Sequence, residues 1–463
     1  MISIAIERLL YLVASVLFIT GLKKLQSPET ARKGNQISAV GMLLAIIVTL
    51  LSTKTITYGT IAAGLLVGGG LGLWMARSIA MTSMPQMVAL LNGVGGASSL
   101  LVASAEFLHR QSTGGVATVD VALSTHLGVL IGAVTFTGSA IAWAKLQEVM
   151  TGKAIVFGGQ KMVNGALFAV IAGLAAWLIF VPTAPLWAFY ALVGLSLVIG
   201  VLLVIPIGGA DMPVVISLLN SYSGIAAAMT GFVIKSEVLV ISGALVGSSG
   251  IILSQIMCKA MNRSLSNVLF GAFGQAAGKS NKTSEGLSVS ATSIEEAALM
   301  IAYAQSVIVV PGYGLAVAQA QHQVRELMDL VEKRGGTMKF AVHPVAGRMP
   351  GHMNVLLAEA NIPYDKLIDM DDINPEFERT DVCLVIGAND VVNPAARTDP
   401  SSPIFGMPIL NADHAKRIIV MKRGMSAGFA GIENELFYNS KTQMLFGDAK
   451  GTLSKLVAEV KQV

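Results

Sequence analysis

Residues 306–321 read SVIVVPGYGLAVAQAQ, and this stretch decides how the C-terminal half of the chain folds. Val307, Ile308, Val309 and Val310 make an apolar, β-branched run, the composition of a strand buried on both faces. Gly312, Tyr313 and Gly314 follow. Leu315, Val317, Ala318 and Leu327 then recur at helical spacing, so a helix is expected over residues 317–333. Strand, glycine turn and helix form a dinucleotide-binding unit. In that unit the first glycine permits the tight turn and the second lets the backbone approach a pyrophosphate. The new helix turns its free N–H groups toward the anion. Ala316 and Val317 carry the turn into the helix, with Val317 standing where the fingerprint has its third glycine or alanine.

Outward from this unit the alternation continues. Further strands are expected at residues 338–342, 382–386, 417–421 and 443–446, and helices at 353–360, 414–417 and 452–460. That order gives a Rossmann-like, doubly wound parallel sheet, whose ligands lie at the carboxyl ends of the strands. Those ends are glycine-bearing and polar. The second strand leads into His343, Pro344, Val345, Ala346, Gly347, Arg348, Met349, Pro350, Gly351 and His352. The third leads into Gly387, Ala388, Asn389 and Asp390, and the fourth into Lys422, Arg423, Gly424, Met425 and Ser426, then Gly428, Phe429, Ala430 and Gly431. The fifth leads into Gly447, Asp448, Ala449 and Lys450. Four such ends on successive strands exceed what turn chemistry needs.

The same ends speak to the cofactor. An NAD site closes its second strand with a carboxylate that bonds a ribose hydroxyl; here that place holds His343 and Pro344. Lys422 and Arg423 supply cations suited to a 2′-phosphate. NADP(H) is therefore favoured over NAD(H). The motifs contain no Ser/His/Asp set, no zinc spacing and no clear general acid. Hydride transfer to a nicotinamide needs no protein nucleophile when the donor is itself a reduced cofactor.

The N-terminal half is of another kind. The 463 residues are 53% hydrophobic and only 13% charged, with mean hydropathy +0.67. Residues 1–270 are mostly long apolar runs, while 293–463 have soluble composition. Residues 271–292 are rich in Gly, Ser and Ala and form a flexible linker. Ser293 with Glu296 makes a capping box that opens the soluble domain. The net charge of +4 is modest, and no basic cluster with interleaved aromatics suggests nucleic acid. Cys258 and Cys383 lie in different halves and read as buried thiols.

About nine spans of roughly 20 apolar residues are expected, near 4–22, 37–51, 56–75, 87–107, 121–143, 163–181, 186–205, 212–232 and 238–261. The first has no small-residue cleavage site after it and is read as a retained helix. Lys23, Lys24, Arg32, Lys33, Arg77, Lys145, Lys153, Lys161, Lys259 and Arg263 lie in the odd loops and at the exit of the last span; the even loops carry Lys54, Arg110 and Lys235. That excess puts the odd loops and the C-terminal half in the cytoplasm. Glycine clusters at 68–70, 93–96 and 243–250, with Gly132 and Gly138, suit close helix packing. Asp211, Asn220, Asn92, His126, Ser248 and Ser249 are polar groups at membrane depth, where such groups are costly. Each also has a purely structural reading: a helix cap for Asp211, interhelical hydrogen bonds for Asn220 and Asn92, a satisfied polar side chain for His126. Together they suggest a polar path through the membrane.

These residues resemble the beta subunit of the proton-translocating NAD(P) transhydrogenase family over nearly the whole chain. The resemblance rests on GYGLAVAQAQ from Gly312, HPVAGRMPGHMNVLLAEA from His343, VIGANDVVNPAA from Val385, KRGMSAGFAG from Lys422, FGDAK from Phe446 and GGADMPVVISLLNSYSG from Gly208. It implies a nine-helix domain in the cell inner (plasma) membrane and a cytoplasmic NADP(H) domain. NAD(H) sits on a separate alpha subunit, in a dimer of alpha–beta units. Carried over, Gly312, Tyr313 and Gly314 resemble the pyrophosphate turn, Lys422 and Arg423 the 2′-phosphate clamp and Arg348 a further cofactor contact. Asn389 and Asp390 resemble the catalytic nicotinamide-side group, and residues 399–407 a lid. Ala316, Val317, Val345, Gly347, Met349, Pro350, Gly387, Ala388, Ser426, Gly428, Phe429, Ala430, Gly447, Asp448 and Ala449 complete the implied cofactor contacts. Asp211 and Asn220, with Asn92, His126 and Ser249, make the implied proton path, and Arg263 a hinge contact. Some members carry a histidine where this chain has Asn92; asparagine does not titrate, so His126 or an alpha-subunit residue takes the proton-carrying role. Two readings from other classes stand beside this one: a channel or transporter gated by a cytoplasmic NADP(H) sensor, and a self-contained membrane dehydrogenase with an organic substrate.

Overall fold

The computed structural model describes residues 4–25, 27–52, 58–115, 117–152, 154–181, 185–208, 211–262, 264–270, 288–347, 351–402, 404–426, 428 and 432–463. By contact density the chain divides into two compact units, residues 1–209 with 215–254, and residues 210–214 with 255–463.

The first unit is helical. Among the described residues nine helices are long and apolar enough to cross a membrane. They are α1 (Ile4–Leu25), α2 (Pro28–Ser52), α3 (Tyr58–Ser78), α4 (Met84–Thr113), α5 (Val119–Leu146), α6 (Gln160–Phe180), α7 (Leu186–Val204), α8 (Met212–Ile234) and α9 (Glu237–Ala260). Glycine sets the closest approaches. A Cβ on Gly96 would meet Gly132 O at 2.8 Å, and one on Gly132 would meet Gly96 O at 2.7 Å, so α4 and α5 touch backbone to backbone. Gly224 and Gly243 do the same for α8 and α9: added Cβ atoms would fall 2.5 Å from Gly247 N and Ala228 N. Gly68, Gly69 and Gly70 depart from the expectation, for nothing among the described residues lies within 4 Å of their Cβ positions. α3 buries none of its residues.

The second unit carries the sheet. After α10 (Leu265–Phe270), residues 290–292 run beside the last strand, with Met444 N donating to Ser290 O (2.7 Å) and Thr292 N to Met444 O (3.0 Å). Ser293 then caps α11 (Ile294–Ala302), its Oγ accepting from Glu296 N at 3.2 Å; the Glu296 carboxylate accepts from the Thr292 hydroxyl. The remaining elements are β1 (Ser306–Pro311), α12 (Tyr313–Val317), α13 (Gln321–Lys333), β2 (Thr337–Val342), α14 (His352–Glu359), β3 (Leu367–Asp369), α15 (Met370–Ile373), β4 (Val382–Ile386), α16 (Ala395–Thr398), β5 (Arg417–Lys422), β6 (Thr442–Phe446) and α17 (Ala449–Gln462). The sheet is parallel throughout, in the order β3-β2-β1-β4-β5-β6. Strand alternation splits its side chains between two cores. Val307 and Val309 pack with Ile301, Leu327, Met328 and Leu456; Ile308 and Val310 pack with Phe377, Leu410 and Leu436.

Three sequence expectations are adjusted. The single helix over 317–333 is two, α12 and α13. Between them Gln319 turns left-handed (φ 50°), Ala320 N donates to Leu315 O (3.3 Å) and Gln319 N to Ala316 O (3.0 Å). This is a Schellman stop with glutamine where glycine is usual, so composition gives no warning of it. The short edge strand β3 has only three residues and escapes a periodicity search. Residues 412–414 form a single 3-10 turn, and Arg417 already belongs to β5.

Candidate functional site

The strand order reverses between β1 and β4, and in an open α/β sheet the ligand crevice lies outside the carboxyl ends at that point. The turns after these two strands interlock. Gly312 N donates to Ile386 O (2.9 Å) and Gly314 N to Gly387 O (3.1 Å). A Cβ on Gly312 would stand 2.3 Å from Gly387 O, and one on Gly314 would stand 2.7 Å from Gly387 Cα. The glycines are thus required by the neighbouring turn, with the Cβ direction of Gly314 taken up by Gly387. Ala316 is buried in the core below, Tyr313 is half-buried and Val317 is 50% exposed.

After β2 comes His343, 1% exposed. Val345 N donates to its Nδ1 (3.2 Å), so Nε2 carries the proton and donates to Pro408 O at 2.8 Å. Burial pushes its pKa down to about 4, only partly offset by that bond, so the ring is neutral at physiological pH. It is a structural pin between the turn after β2 and the segment before β5. Gly347 (φ 104°) lies against the buried His352 ring, whose centroid is 6.1 Å from that of Tyr313.

The turns after β4 and β5 meet at Gly428. A Cβ there would fall 1.9 Å from Asn389 Nδ2 and 2.6 Å from Asp390 Oδ1. Ala388 beside them is buried. Lys422 closes its own turn, its Nζ donating to Ser426 O and lying 4.7 Å from the centre of the Phe437 ring. Burial holds its pKa below the ordinary lysine value, partly offset by the negative charge of Asp390. Arg423 is exposed. After β6, Asp448 caps α17 by accepting from Gly451 N (3.2 Å), with Gly447 before it and Ala449 opening the helix. Asp399 Oδ1 accepts from Ser401 N (2.9 Å) and Ser401 Oγ (2.6 Å). Ile404, Met407 and Ile409 form a small core of their own with Ala396. Arg348, Met349, Pro350, Phe429, Ala430 and Arg263 lie outside the described residues.

One residue absent from the sequence motifs belongs here. Asn434, 1% exposed, donates from Nδ2 to Asn389 O (2.9 Å) and Asn389 Oδ1 (3.1 Å). No spacing rule links it to Asn389. This end of the sheet therefore gathers an exposed guanidinium, a half-buried ammonium, a carboxylate and a buried amide donor, Asn389 Nδ2, without a partner among the described residues. Such a set suits a ligand carrying both an anionic group and a hydrogen-bond acceptor.

In the helical unit the polar residues are spread over several helices. Asn92 is buried and donates from Nδ2 to Ile216 O (3.3 Å), while Ser223 Oγ donates to Asn92 O (3.0 Å), joining α4 to α8. Asn220 is exposed on α8, and Ser249 is exposed on α9 with its hydroxyl donating to Val246 O (3.0 Å). His126 is buried, its Nδ1 2.6 Å from Ala122 O, between the rings of Phe107 (5.6 Å) and Phe189 (6.4 Å). Asn92 and Phe107 are fifteen residues apart on α4, about 22 Å along its axis, so His126 and Asn92 lie at different depths. Asp211 immediately precedes α8, half-buried.

A family model described as NAD(P) transhydrogenase beta subunit matches residues 7–459. Two relatives, both named NAD(P) transhydrogenase subunit beta and both from Rhodospirillum rubrum, are each 49% identical over 453 residues, covering 96% of this chain and 97% of their own length.

Proposed function

The chain belongs to the NAD(P) transhydrogenase beta subunit family, and on that premise we propose that its parallel-sheet domain holds NADP(H), reduced by NADH bound on a partner alpha subunit. The observation that carries the choice of cofactor is the pairing of strand ends: no carboxylate closes β2, where His343 is neutral and pinned to Pro408, while Arg423 lies exposed after β5. Bound NADP+ supplies the hydride-accepting nicotinamide and NADH the donor, so two electrons and one proton pass as hydride and no protein nucleophile is needed.

The chain's own groups bind, orient and exclude water. Arg423 receives the 2′-phosphate. Asn389 and Asp390, held against Gly428, face the reacting end. Lys422 shapes the β5 turn through Ser426 and Phe437 rather than acting as the principal phosphate contact. Inward proton flow through the nine-helix domain drives NADP+ reduction by altering the affinity of the sheet domain for oxidised and reduced cofactor. One charge falling through 100 mV releases about 2.3 kcal/mol, more than the 1.4 kcal/mol that shifts an equilibrium tenfold. The C-terminal domain accordingly faces the cytoplasm, where the nucleotides are.

The direct test is binding of NADP+ and NAD+ to the purified full-length chain by titration calorimetry. Preference for NADP+ of at least about tenfold, reduced by Arg423→Ala, supports the reading. Equal affinity for both nucleotides would overturn it.

A further inference from the structure

Asn434 lies in a segment that the sequence motifs pass over, 45 residues from the residue it holds. Its amide is fully used. Oδ1 accepts from Leu436 N at 2.9 Å, which leaves Nδ2 directed at Asn389. There it donates to the main-chain oxygen at 2.9 Å and to the side-chain oxygen at 3.1 Å. The polarity of this arrangement is forced. An asparagine whose oxygen meets a backbone N–H can offer only its –NH2 on the other side, and the group receiving that –NH2 must be an oxygen. Asn389 Oδ1 therefore faces Asn434, and Asn389 Nδ2 must face away.

Nδ2 faces the meeting point of the two turns, beside Gly428 and Asp390 Oδ1, buried and without a partner among the described residues. A buried amide donor in that state is rare in a finished fold and calls for an acceptor. The backbone around Asn434 has a separate anchor. Asn393, fully buried, donates from Nδ2 to Glu433 O (2.9 Å) and accepts at Oδ1 from Ala395 N (3.1 Å). The crossing of the two segments thus does not depend on Asn434 alone, and the contact to the Asn389 side chain is surplus to holding the chain in place.

We propose that Asn434 is a positioning residue: it locks the Asn389 side chain so that its –NH2 donates to an acceptor oxygen of the bound dinucleotide. This rests on the reading that NADP(H) occupies the carboxyl ends of these strands. Asn434 does not touch the ligand; it sets which end of the Asn389 amide the ligand meets.

The test is a double-mutant cycle in the complete complex with the alpha subunit, reading KM for NADP+, KM for NADH, turnover and the unfolding temperature. Asn434→Ala is expected to raise KM for NADP+ about five- to tenfold, the worth of one neutral hydrogen bond, and to leave KM for NADH unchanged. In an Asn389→Ala background the same substitution is expected to change KM for NADP+ less than about twofold, because the group it positions is gone. Asn434→Asp keeps the acceptor for Leu436 N but presents oxygen to Asn389, turning that amide round. It is expected to match Asn434→Ala in KM and, because its carboxylate also meets the main-chain oxygen of Asn389, to lower the unfolding temperature. A full-sized effect of Asn434→Ala in the Asn389→Ala background, or wild-type KM in Asn434→Asp, would overturn the proposal. Failure of the unmutated complex to saturate with NADP+ would instead remove the reading beneath it, and the proposal with it.

Discussion

Gly314 and Gly387 face each other where the strand order reverses: Gly314 N donates to Gly387 O at 3.1 Å, and a Cβ on Gly387 would lie 2.4 Å from Gly314 Cα. Gly387 also holds a left-handed φ of 66°. The glycine signature that marks a nucleotide site in sequence therefore also serves, in this fold, to join the turns after β1 and β4.

Gly387→Ala should accordingly damage stability before it damages binding. A left-handed φ and a main-chain clash together are expected to cost about 2–4 kcal/mol. Hydrogen exchange of the β1 and β4 amides in the intact chain measures it. Unchanged protection with lost nucleotide binding would mean that the glycine serves the ligand alone.

The two cations after β5 are expected to separate. Arg423→Ala should weaken NADP(H) by about ten- to a hundredfold, the worth of charge-assisted bonds, and leave the unfolding temperature within about a degree. Lys422→Ala removes the bond to Ser426 O and the contact with Phe437, so it should lower the unfolding temperature. Titration of each variant with NADP+ and NAD+ beside a thermal melt distinguishes the two roles.

His343 predicts a pH window. Its folded pKa of about 4 lies below the 6.5 of a free imidazole. Between these values the unfolded chain binds the extra proton and the folded chain does not, so stability rises with pH across the window. The contribution is complete above pH 6.5 and is lost on acidification towards pH 4, about 3 kcal/mol in all. Hydrogen exchange of the β2 amides from pH 7 to 4 should show that slope, and His343→Gln should flatten it. The same slope in the variant would assign the effect to other groups.

In the helical unit, two glycine clusters of similar composition should behave oppositely. Gly96→Val drives a side chain into Gly132 O, Thr135 Cβ and Phe136 N of α5, and should lower the unfolding temperature in detergent by several degrees. Gly69→Val meets nothing among the described residues and should not lower it in the isolated chain.

Much of this architecture was legible in the sequence. The β-branched runs before Pro311 and Gly387 are buried on both faces and declare themselves as central strands. The long apolar stretches declare the nine helices. What escaped depended on a helix stop without its usual residue and on contacts between distant segments. Gln319 stops a helix without a glycine, because its neighbours' backbone bonds offset the left-handed strain. Gly68, Gly69 and Gly70 resemble Gly243 and Gly247 in composition but differ in having nothing opposite them. The meaning of Gly314 lay in Gly387, and that of Asn389 in Asn434; neither pairing has a spacing that a linear reading could use. Asp448 illustrates the converse: a polar strand end in sequence whose carboxylate is taken up by capping α17.

The central claim, that nucleotide held by the sheet domain is coupled to proton passage through the helices, is tested most directly in sealed vesicles containing the complex with its alpha subunit and an internal pH dye. NADP+ reduction by NADH should be accompanied by proton movement across the membrane, and an imposed gradient of the driving sign should accelerate it until a protonophore abolishes the effect. Reduction at an unaltered rate, with no proton movement and no response to the gradient, would contradict the account.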